Sequence, residues 1–142
     1  MNDQQAHVES ALSAVNAALA ACGELSLDQS GDFVRDDSYP LTYRLEVADA
    51  APIRFQFYGE LNVWVGPFSE VLVVDALDQD LITSAVRRLL TSSIRLVHES
   101  KRGRVTAWDE EGEWINLKTM SLGRTTGPHG ESVFGPVYRN SP

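Results

Sequence analysis

The segment "IRFQFYGELNVWV", residues 53–65, decides the fold that we predict, because apolar and polar side chains alternate on both sides of a central Gly59. A period of two residues is typical of strands that bury one face, and a glycine between two such runs indicates a hairpin. The apolar positions that would form the buried face are Ile53, Phe55, Phe57, Val63 and Val65.

The length of the hairpin connection sets which side chains share a face. A connection made of Gly59 and Glu60 alone would place Val63 and Val65 on the polar side of the first strand. A connection of three or five residues would place both valines on the face of the two phenylalanines. We predict this odd connection, because register follows from the face that must be buried.

A helix is predicted near the N-terminus, because apolar residues recur at alternating spacings of four and three from Val8 to Cys22. Asp3 can cap the start of this helix, and Gly23 suits its end. The same stripe could form the seam of a coiled-coil dimer. It extends for only two heptads, so packing on a core is the favoured interpretation.

A second helix is predicted from Asp78, which can act as its cap, to about Leu90, with Asp80 in its first turn. Its expected buried face comprises Leu81, Ile82, Ala85, Val86, Leu89 and Leu90. Short strands are expected near Phe33 and Val34, at 41–47 and at 71–74, the last covered on both faces because it is apolar throughout. Three more are expected after the second helix, at 94–99, 104–109 and 113–120.

These elements predict an α+β fold: one antiparallel sheet of five to seven strands and two helices on one of its faces, with the N-terminal helix first. The length of 142 residues fits a single domain. We assign residues 1–120 to this domain and residues 121–142 to an extended arm rich in glycine and proline.

The predicted arm carries more apolar surface than a free tail needs. Its prolines exclude a central strand. We expect flexibility around Gly127–Gly130 and docking of Phe134 and Tyr138 on an apolar groove. This groove could lie on the chain's own sheet, beside Trp64, or on a second copy in a dimer.

Amino-acid composition narrows the classes of partner that we expect for this chain. The net charge is −8, and residues 1–50 alone contribute −7. An acidic surface of this kind repels a phosphate backbone, so we expect no nucleic-acid partner. No apolar run reaches the length needed to span a bilayer, the first residues lack a signal-peptide pattern, and Cys22 is the only cysteine. These features predict no membrane partner and a cytoplasmic protein.

The sequence "GRTTGPHGESVFGP", residues 123–136, lacks the spacing of a phosphate-binding loop, a dinucleotide fingerprint or a nucleophile elbow. No paired cysteine or histidine motif is present, so we expect no metal, no cofactor and no catalytic residue. Cys22 is expected to be a small core residue. The acids Asp109, Glu110, Glu111 and Glu113 form a charged turn, although a calcium ion or a basic partner could also meet them.

The outer face of the hairpin is the best candidate for a binding surface, because it mixes aromatic area with adaptable hydrogen-bonding groups. The binding residues that we predict are Arg54, Gln56, Tyr58, Asn62 and Trp64, together with Phe134 and Tyr138 of the arm. A helix or the arm could instead cover this face. A concave site uniting Arg54, Tyr58, Trp64 and His98 would favour a small ligand.

The functional prediction is therefore a non-enzymatic module that binds a protein partner, one with basic character, as a monomer or a homodimer. In size, acidity and lack of catalytic motifs the chain is similar to small bacterial immunity proteins and secretion chaperones, a similarity of general type. The alternative is a small-ligand-binding protein or an enzyme whose pocket is built from scattered residues.

Overall fold

The computed structural model describes residues 3–38, 40–65, 69–99, 102–108, 114–115 and 130–138. Several sequence predictions fall outside these residues: the acidic turn at 109–113, the end of the strand expected to reach Met120, and the flexibility expected at 127–129.

The first helix, α1, spans Asp3–Ala21 and ends as the sequence predicts. Gly23 has a φ of 77°, in the left-handed region that glycine enters without a steric cost. The N–H of Gly23 donates to the carbonyl of Ala20 at 2.9 Å, and the N–H of Glu24 donates to the carbonyl of Leu19 at 2.9 Å. These two bonds form a Schellman motif, which satisfies carbonyls that the last turn would otherwise leave open.

The first sheet contains five antiparallel strands in the order β1-β2-β3-β4-β5, so each strand pairs with its neighbours in sequence. The strands are β1 Phe33–Asp36, β2 Leu41–Leu45, β3 Ile53–Phe57, β4 Glu60–Val65 and β5 Ser69–Asp75. Short connections between consecutive strands make this meander the simplest way to pair them.

The β3–β4 hairpin has the odd connection that the alternation predicts. Phe57 lies opposite Leu61, which leaves residues 58–60 as a three-residue connection, and Phe55 lies opposite Val63. The N–H of Tyr58 donates to the carbonyl of Glu60 at 2.9 Å and closes the turn. The inner face of the hairpin is consequently apolar along its whole length.

The β4–β5 pairing shifts by one residue between Val63 and Trp64. Val63 lies opposite Leu72, whereas Trp64 lies opposite Glu70, so Val71 is the extra residue of a bulge. The expectation that β5 is covered on both faces is wrong at Val73, which is 38% exposed. A continuous apolar run does not reveal that one face of the strand lacks a covering layer.

The second helix, α2, spans Gln79–Thr91, and the carboxylate of its N-cap residue Asp78 accepts a bond from the N–H of Leu81 at 3.4 Å. The helix packs on α1, where the Thr83 hydroxyl donates to the carbonyl of Ala14 at 2.9 Å. Its buried face includes Ile82, Val86, Leu89 and Leu90, as predicted.

The assignment of Leu81 to the buried face of α2 is wrong, because Leu81 is 50% exposed. Successive residues of an α-helix are about 100° apart, so Leu81 points well away from the direction of Ile82 and Val86. Ala85 lies at the edge of the buried face and is half-buried for the same reason.

The strands that follow α2 pair in a second antiparallel sheet, in the order β8-β7-β6-β9, and do not extend the first one. They are β6 Ser93–Glu99, β7 Arg102–Trp108, β8 Trp114–Ile115 and β9 Gly130–Phe134. The C-terminal segment thus supplies β9, which pairs with β6 at the edge of the described sheet. Proline at 128 and at 136 flanks this strand without interrupting it.

The core lies between the inner face of the first sheet and the two helices. Its largest fully buried side chains are Tyr43, Phe55, Phe57, Leu19, Leu27, Ile53, Leu61, Ile82, Leu90 and Ile94. Alanines of α1 are buried in this core, including Ala11 and Ala18 at 0% exposure, and small side chains allow the close contact between α1 and α2. The chain therefore has the predicted α+β fold, with an N-terminal helix, a five-stranded antiparallel sheet and a second helix.

Candidate functional site

The outer face of the first sheet is the surface opposite the core, and strand register arranges its side chains in three rows. The arginine row consists of Val34, Arg44, Arg54 and Trp64, which are successive cross-strand partners. The central row consists of Asp36, Thr42, Gln56, Asn62 and Val73. The acidic row consists of Glu60 and Asp75, which are cross-strand partners on β4 and β5.

The arginine row contains a fixed aromatic group. The Arg54 guanidinium carbon lies 5.1 Å from the centroid of the Trp64 ring, within the range of a cation–π contact. The Trp64 indole N–H donates to the side-chain carbonyl of Gln56 at 2.9 Å. Two contacts from β3 therefore hold the half-buried indole of β4 in one orientation.

Arg44 is the more exposed cation of this row, with a side chain 54% exposed. It lies opposite Arg54 in the β2–β3 register and is 3.9 Å from the carboxylate of Glu46. An exposed pair at this distance contributes little to stability. Arg44 therefore remains accessible at the surface.

The acidic row borders an open depression of about 530 Å³. Its lining residues are Tyr58, Gly59, Glu60, Asn62, Val73 and Asp75. Glu60 and Asp75 lie directly opposite each other on β4 and β5. One Asp75 oxygen accepts a bond from the N–H of Leu77 at 2.9 Å, and no ion pair to either carboxylate occurs among the described residues.

Both helices of the described structure lie on the core side of the first sheet, where α1 contacts β3 and β4 and α2 contacts α1. The outer face keeps exposed apolar area at both of its lateral edges, with Val34 at 37% and Val73 at 38% exposure. Neither described helix therefore covers the outer face.

The five hairpin residues predicted from the sequence come together in this face. Arg54, Gln56, Asn62 and Trp64 are half-buried neighbours across β3 and β4, and Tyr58 is half-buried at the turn. The depression includes Tyr58 but neither Arg54 nor Trp64. His98 lies on β6 of the second sheet, and its side chain is outside the described part of the chain.

Tyr138 of the C-terminal segment docks elsewhere, on the chain's own core. Its N–H donates to the carbonyl of Leu90 at 2.9 Å, and its hydroxyl donates to Asp32 at 2.9 Å. Burial, and next the bond to Asp32, raise the pKa of Tyr138. Phe134 packs partly buried against the same core. The docking groove therefore lies at the end of α2 and the loop before β1, and not beside Trp64.

A polar cluster on the inner side of β2 had no signal that we identified in the sequence. The Tyr43 hydroxyl donates to Asp28 at 2.6 Å, and the Arg35 guanidinium donates to Asp28 at 2.9 Å and to Asp37 at 2.6 Å. The bonds from Tyr43 and then Arg35 lower the pKa of Asp28. On the inner face of β2, Tyr43 lies between Leu41 and Leu45 and is the only side chain there with a polar group. It was the one residue of the strand that could have indicated this cluster.

The hydrogen bonds of this polar cluster stabilise the fold. Burial, and next the bond to Asp28, raise the pKa of Tyr43 to about 12. A phenol with such a pKa stays protonated at neutral pH and cannot serve there as a base. The bonds to Asp28 instead tie the loop before β1 to the first two strands.

The described residues offer few other candidates for a reactive or metal-binding site. Cys22 is buried, and burial raises the pKa of its thiol despite the opposing charge of Arg87. No three histidine, cysteine, aspartate or glutamate side chains gather as metal ligands in the described part of the chain. No helix among those residues combines the length and apolar character needed to cross a membrane.

Comparison with known proteins gives no relative: no protein-family model, no curated protein and no solved structure matches the chain. The outer face therefore has to be interpreted from its own geometry and charge.

Proposed function

We propose that the chain is a non-enzymatic protein-binding module whose recognition surface is the outer face of the first sheet. The observation that carries the proposal is the Trp64 indole, held between Arg54 and Gln56 on a face that neither described helix covers. Tryptophan and arginine are enriched among the residues that dominate protein interfaces.

Preorganisation of Trp64 supports this function. The indole is already fixed by its hydrogen bond to Gln56, and its neighbour Arg54 lies over the ring. A side chain that is ordered before association loses less conformational entropy when a partner binds. The same surface has exposed valines near its two edges, which add apolar area around this anchor.

The charge of the molecule defines the class of partner. The net charge is −8, and the outer face carries Glu60 and Asp75 at one end. A basic protein would be attracted over long range and would bring its own cations to this end of the face. An acidic patch on that protein would face the arginine row.

A small-ligand-binding function is the second candidate, and the depression beside Tyr58 is the observation that favours it. Small-molecule sites enclose most of their ligand and converge a few polar groups on it. This depression is open to solvent, and the Arg54–Trp64 pair lies outside its lining. A protein surface fits such an open site better than an enclosed ligand does.

Site-specific photocross-linking tests the proposal. The photoreactive residue p-benzoylphenylalanine replaces Val34, an exposed side chain at the edge of the outer face that takes no part in fixing Trp64, and, as a matched control, Ser84 on the exposed side of α2. Cells of the native host are irradiated, and the cross-linked species are separated by mass. We expect one discrete protein adduct from position 34 that is absent from position 84.

A further variant separates surface contact from chance proximity. Trp64→Ala in the position-34 background should reduce the adduct at least about fivefold, because an interface anchor commonly contributes more than 1 kcal/mol. Equal adducts from positions 34 and 84, or an adduct that Trp64→Ala leaves unchanged, would contradict the proposal. An adduct of twice the chain mass would identify a second copy as the partner.

A further inference from the structure

We propose that the outer face of the first sheet also pairs with the same face of a second copy of the chain. This inference goes beyond the proposed function, because it names an occupant that needs no other protein. The basic partner and the second copy would compete for one surface. The charges on this surface are complementary to themselves across a two-fold axis.

Two groups of opposite charge lie at diagonal corners of the outer face. Arg44 and Arg54 are cross-strand partners on β2 and β3, whereas Glu60 and Asp75 are cross-strand partners on β4 and β5. Trp64, the partner of Arg54, is four residues from Glu60 along β4. With a rise of about 3.4 Å per residue and about 4.8 Å between strands, the two groups are about 14 Å apart along the strands and about 10 Å apart across them.

A two-fold axis between two facing sheets exchanges these corners. The axis lies parallel to the sheets and passes over the middle of the face, between the cross-strand partners Gln56 and Asn62. The cationic corner of each copy then lies over the acidic corner of the other. The strands of the two copies cross at about 70°, close to the orthogonal class of sheet packing. Because the contact is isologous, each favourable charge pairing is made twice.

The same axis also brings two apolar groups together. Trp64 is the partner of Arg54 in one row, and Val73 is the partner of Asn62 in the next row. The rotation that exchanges the charged corners carries the position of Trp64 onto the position of Val73 in the other copy. Val73 is 38% exposed, and the Trp64 indole is already held by Gln56. An ordered ring on an exposed valine adds apolar contact between the two charge pairings.

The net charge of −8 opposes association of two copies. Part of this charge is remote from the contact, because α1, with Asp3 and Glu9, lies on the core side of the sheet. At about 0.15 M salt, repulsion beyond about 8 Å is largely screened, whereas groups in direct contact are screened much less. We therefore expect a weak dimer that persists at physiological ionic strength.

Sedimentation equilibrium of the full chain tests this pairing. At about 0.15 M salt and up to about 1 mM chain, we expect a reversible monomer–dimer equilibrium, because a contact limited to four strands belongs with small, transient interfaces. Arg44→Glu alone, or Glu60→Lys alone, should weaken the dimer at least about tenfold, since each variant places like charges together at both symmetric contacts. Glu60→Lys reduces the net negative charge, so general repulsion would not explain its effect.

Mixing the two variants provides the sharpest result. In an equimolar mixture of the Arg44→Glu and Glu60→Lys chains, each symmetric contact again joins one acid and one base. We expect the mixture to dimerise about as strongly as the unsubstituted chain, which also shows that both variants are folded. The matched controls, Arg87→Glu and Glu9→Lys, make the same charge changes at exposed positions on the helices and should leave dimerisation unchanged.

The self-pairing is overturned if the unsubstituted chain sediments as a monomer at every concentration, if the controls weaken the dimer equally, or if mixing restores nothing. These failures are distinguishable from failure of the proposed function. An adduct from position 34 to a different protein, found together with a strictly monomeric chain, overturns only the self-pairing. Dimerisation restored by mixing, without an adduct to another protein, supports the self-pairing and contradicts recognition of a separate partner.

Discussion

The two faces of the first sheet are built from the same strands and differ in almost every physical respect. On the inner face, Phe55 and Phe57 are 0% and 1% exposed and pack against a helix. On the outer face, their sequence neighbours Arg54, Gln56 and Tyr58 are half-buried and polar. One face supplies the apolar burial that stabilises the fold, and the other carries the side chains of the recognition surface that we propose.

The difference shows how a sheet can separate stability from recognition. Burial stabilises by roughly 25 cal/mol for each Å² of apolar surface, so fully buried aromatic rings dominate the free energy of unfolding. Residues on the outer face bury less apolar surface, and their polar groups can form hydrogen bonds with water. Substitutions there should change binding more than folding.

Phe57→Ala offers the strongest test of the inner face. Removing a fully buried aromatic ring should lower the free energy of unfolding by about 3–5 kcal/mol, because apolar contact is lost and a cavity remains. Urea denaturation followed by circular dichroism measures the change. A loss below about 1 kcal/mol would show that the inner face does not carry the core.

Val63→Ala and Val73→Ala form a matched pair that compares the faces directly. Val63 is 0% exposed on the inner face of β4, whereas Val73 is 38% exposed on the outer face of β5. We expect losses of roughly 2 kcal/mol for Val63 and below about 1 kcal/mol for Val73, from the methyl groups withdrawn from water in each case. Equal losses in the same denaturation experiment would remove the distinction between the faces.

Tyr138→Phe tests whether the C-terminal segment completes the inner side. The substitution keeps the ring and removes the hydroxyl that donates to Asp32. We expect a loss of about 1.5–3 kcal/mol, since hydrogen bonds to charged groups contribute about this much. Asp32→Asn serves as the partner variant, and a double-mutant cycle should show coupling between the two sites. Independent effects would contradict this contact.

Tyr43 lies at the polar edge of the inner face, and an alkaline titration tests how its ionisation affects the free energy of unfolding. Its pKa is raised to about 12, so the folded state binds the phenolic proton more tightly than the unfolded state does. The resulting stability is fully present below the unfolded pKa of about 10 and is lost as pH rises towards 12. Absorbance at a tyrosinate wavelength and denaturant midpoints should follow this decline.

Tyr43→Phe provides the control for the titration. The variant cannot ionise at this position, so its stability should decline less steeply over the same pH window than that of the unsubstituted chain. Parallel declines in both chains would assign the alkaline instability to other groups, and Tyr43 would then have no part in it.

The sequence predicts the first sheet well because its information is local. Alternation at 53–65 specifies both the strands and the odd connection, since only one register buries Phe55 with Val63. The helix ends were likewise encoded locally, by Asp78 and Gly23. Each of these predictions needs only residues that are close along the chain.

Long-range pairing could not be predicted in the same way. The distant partner of β6 is β9, Gly130–Phe134, a short window between two prolines with too few residues to show a period. The exposure of Val73 and of Leu81 also depends on which neighbouring elements are present, and no local pattern records that. The five hairpin site residues followed from alternation, but the depression required the pairing of β4 with β5.

The bond between Tyr138 and Asp32 joins residues 106 positions apart, whereas Trp64 and Gln56 are separated by 8. The entropy of closing a loop grows as the logarithm of its length, which makes the longer closure about 2 kcal/mol more costly in an unfolded chain. Contacts of this kind slow folding and form once nearer contacts have shortened the effective loop. We therefore expect docking of Tyr138 to be a late event in folding, after the meander and its helices have assembled.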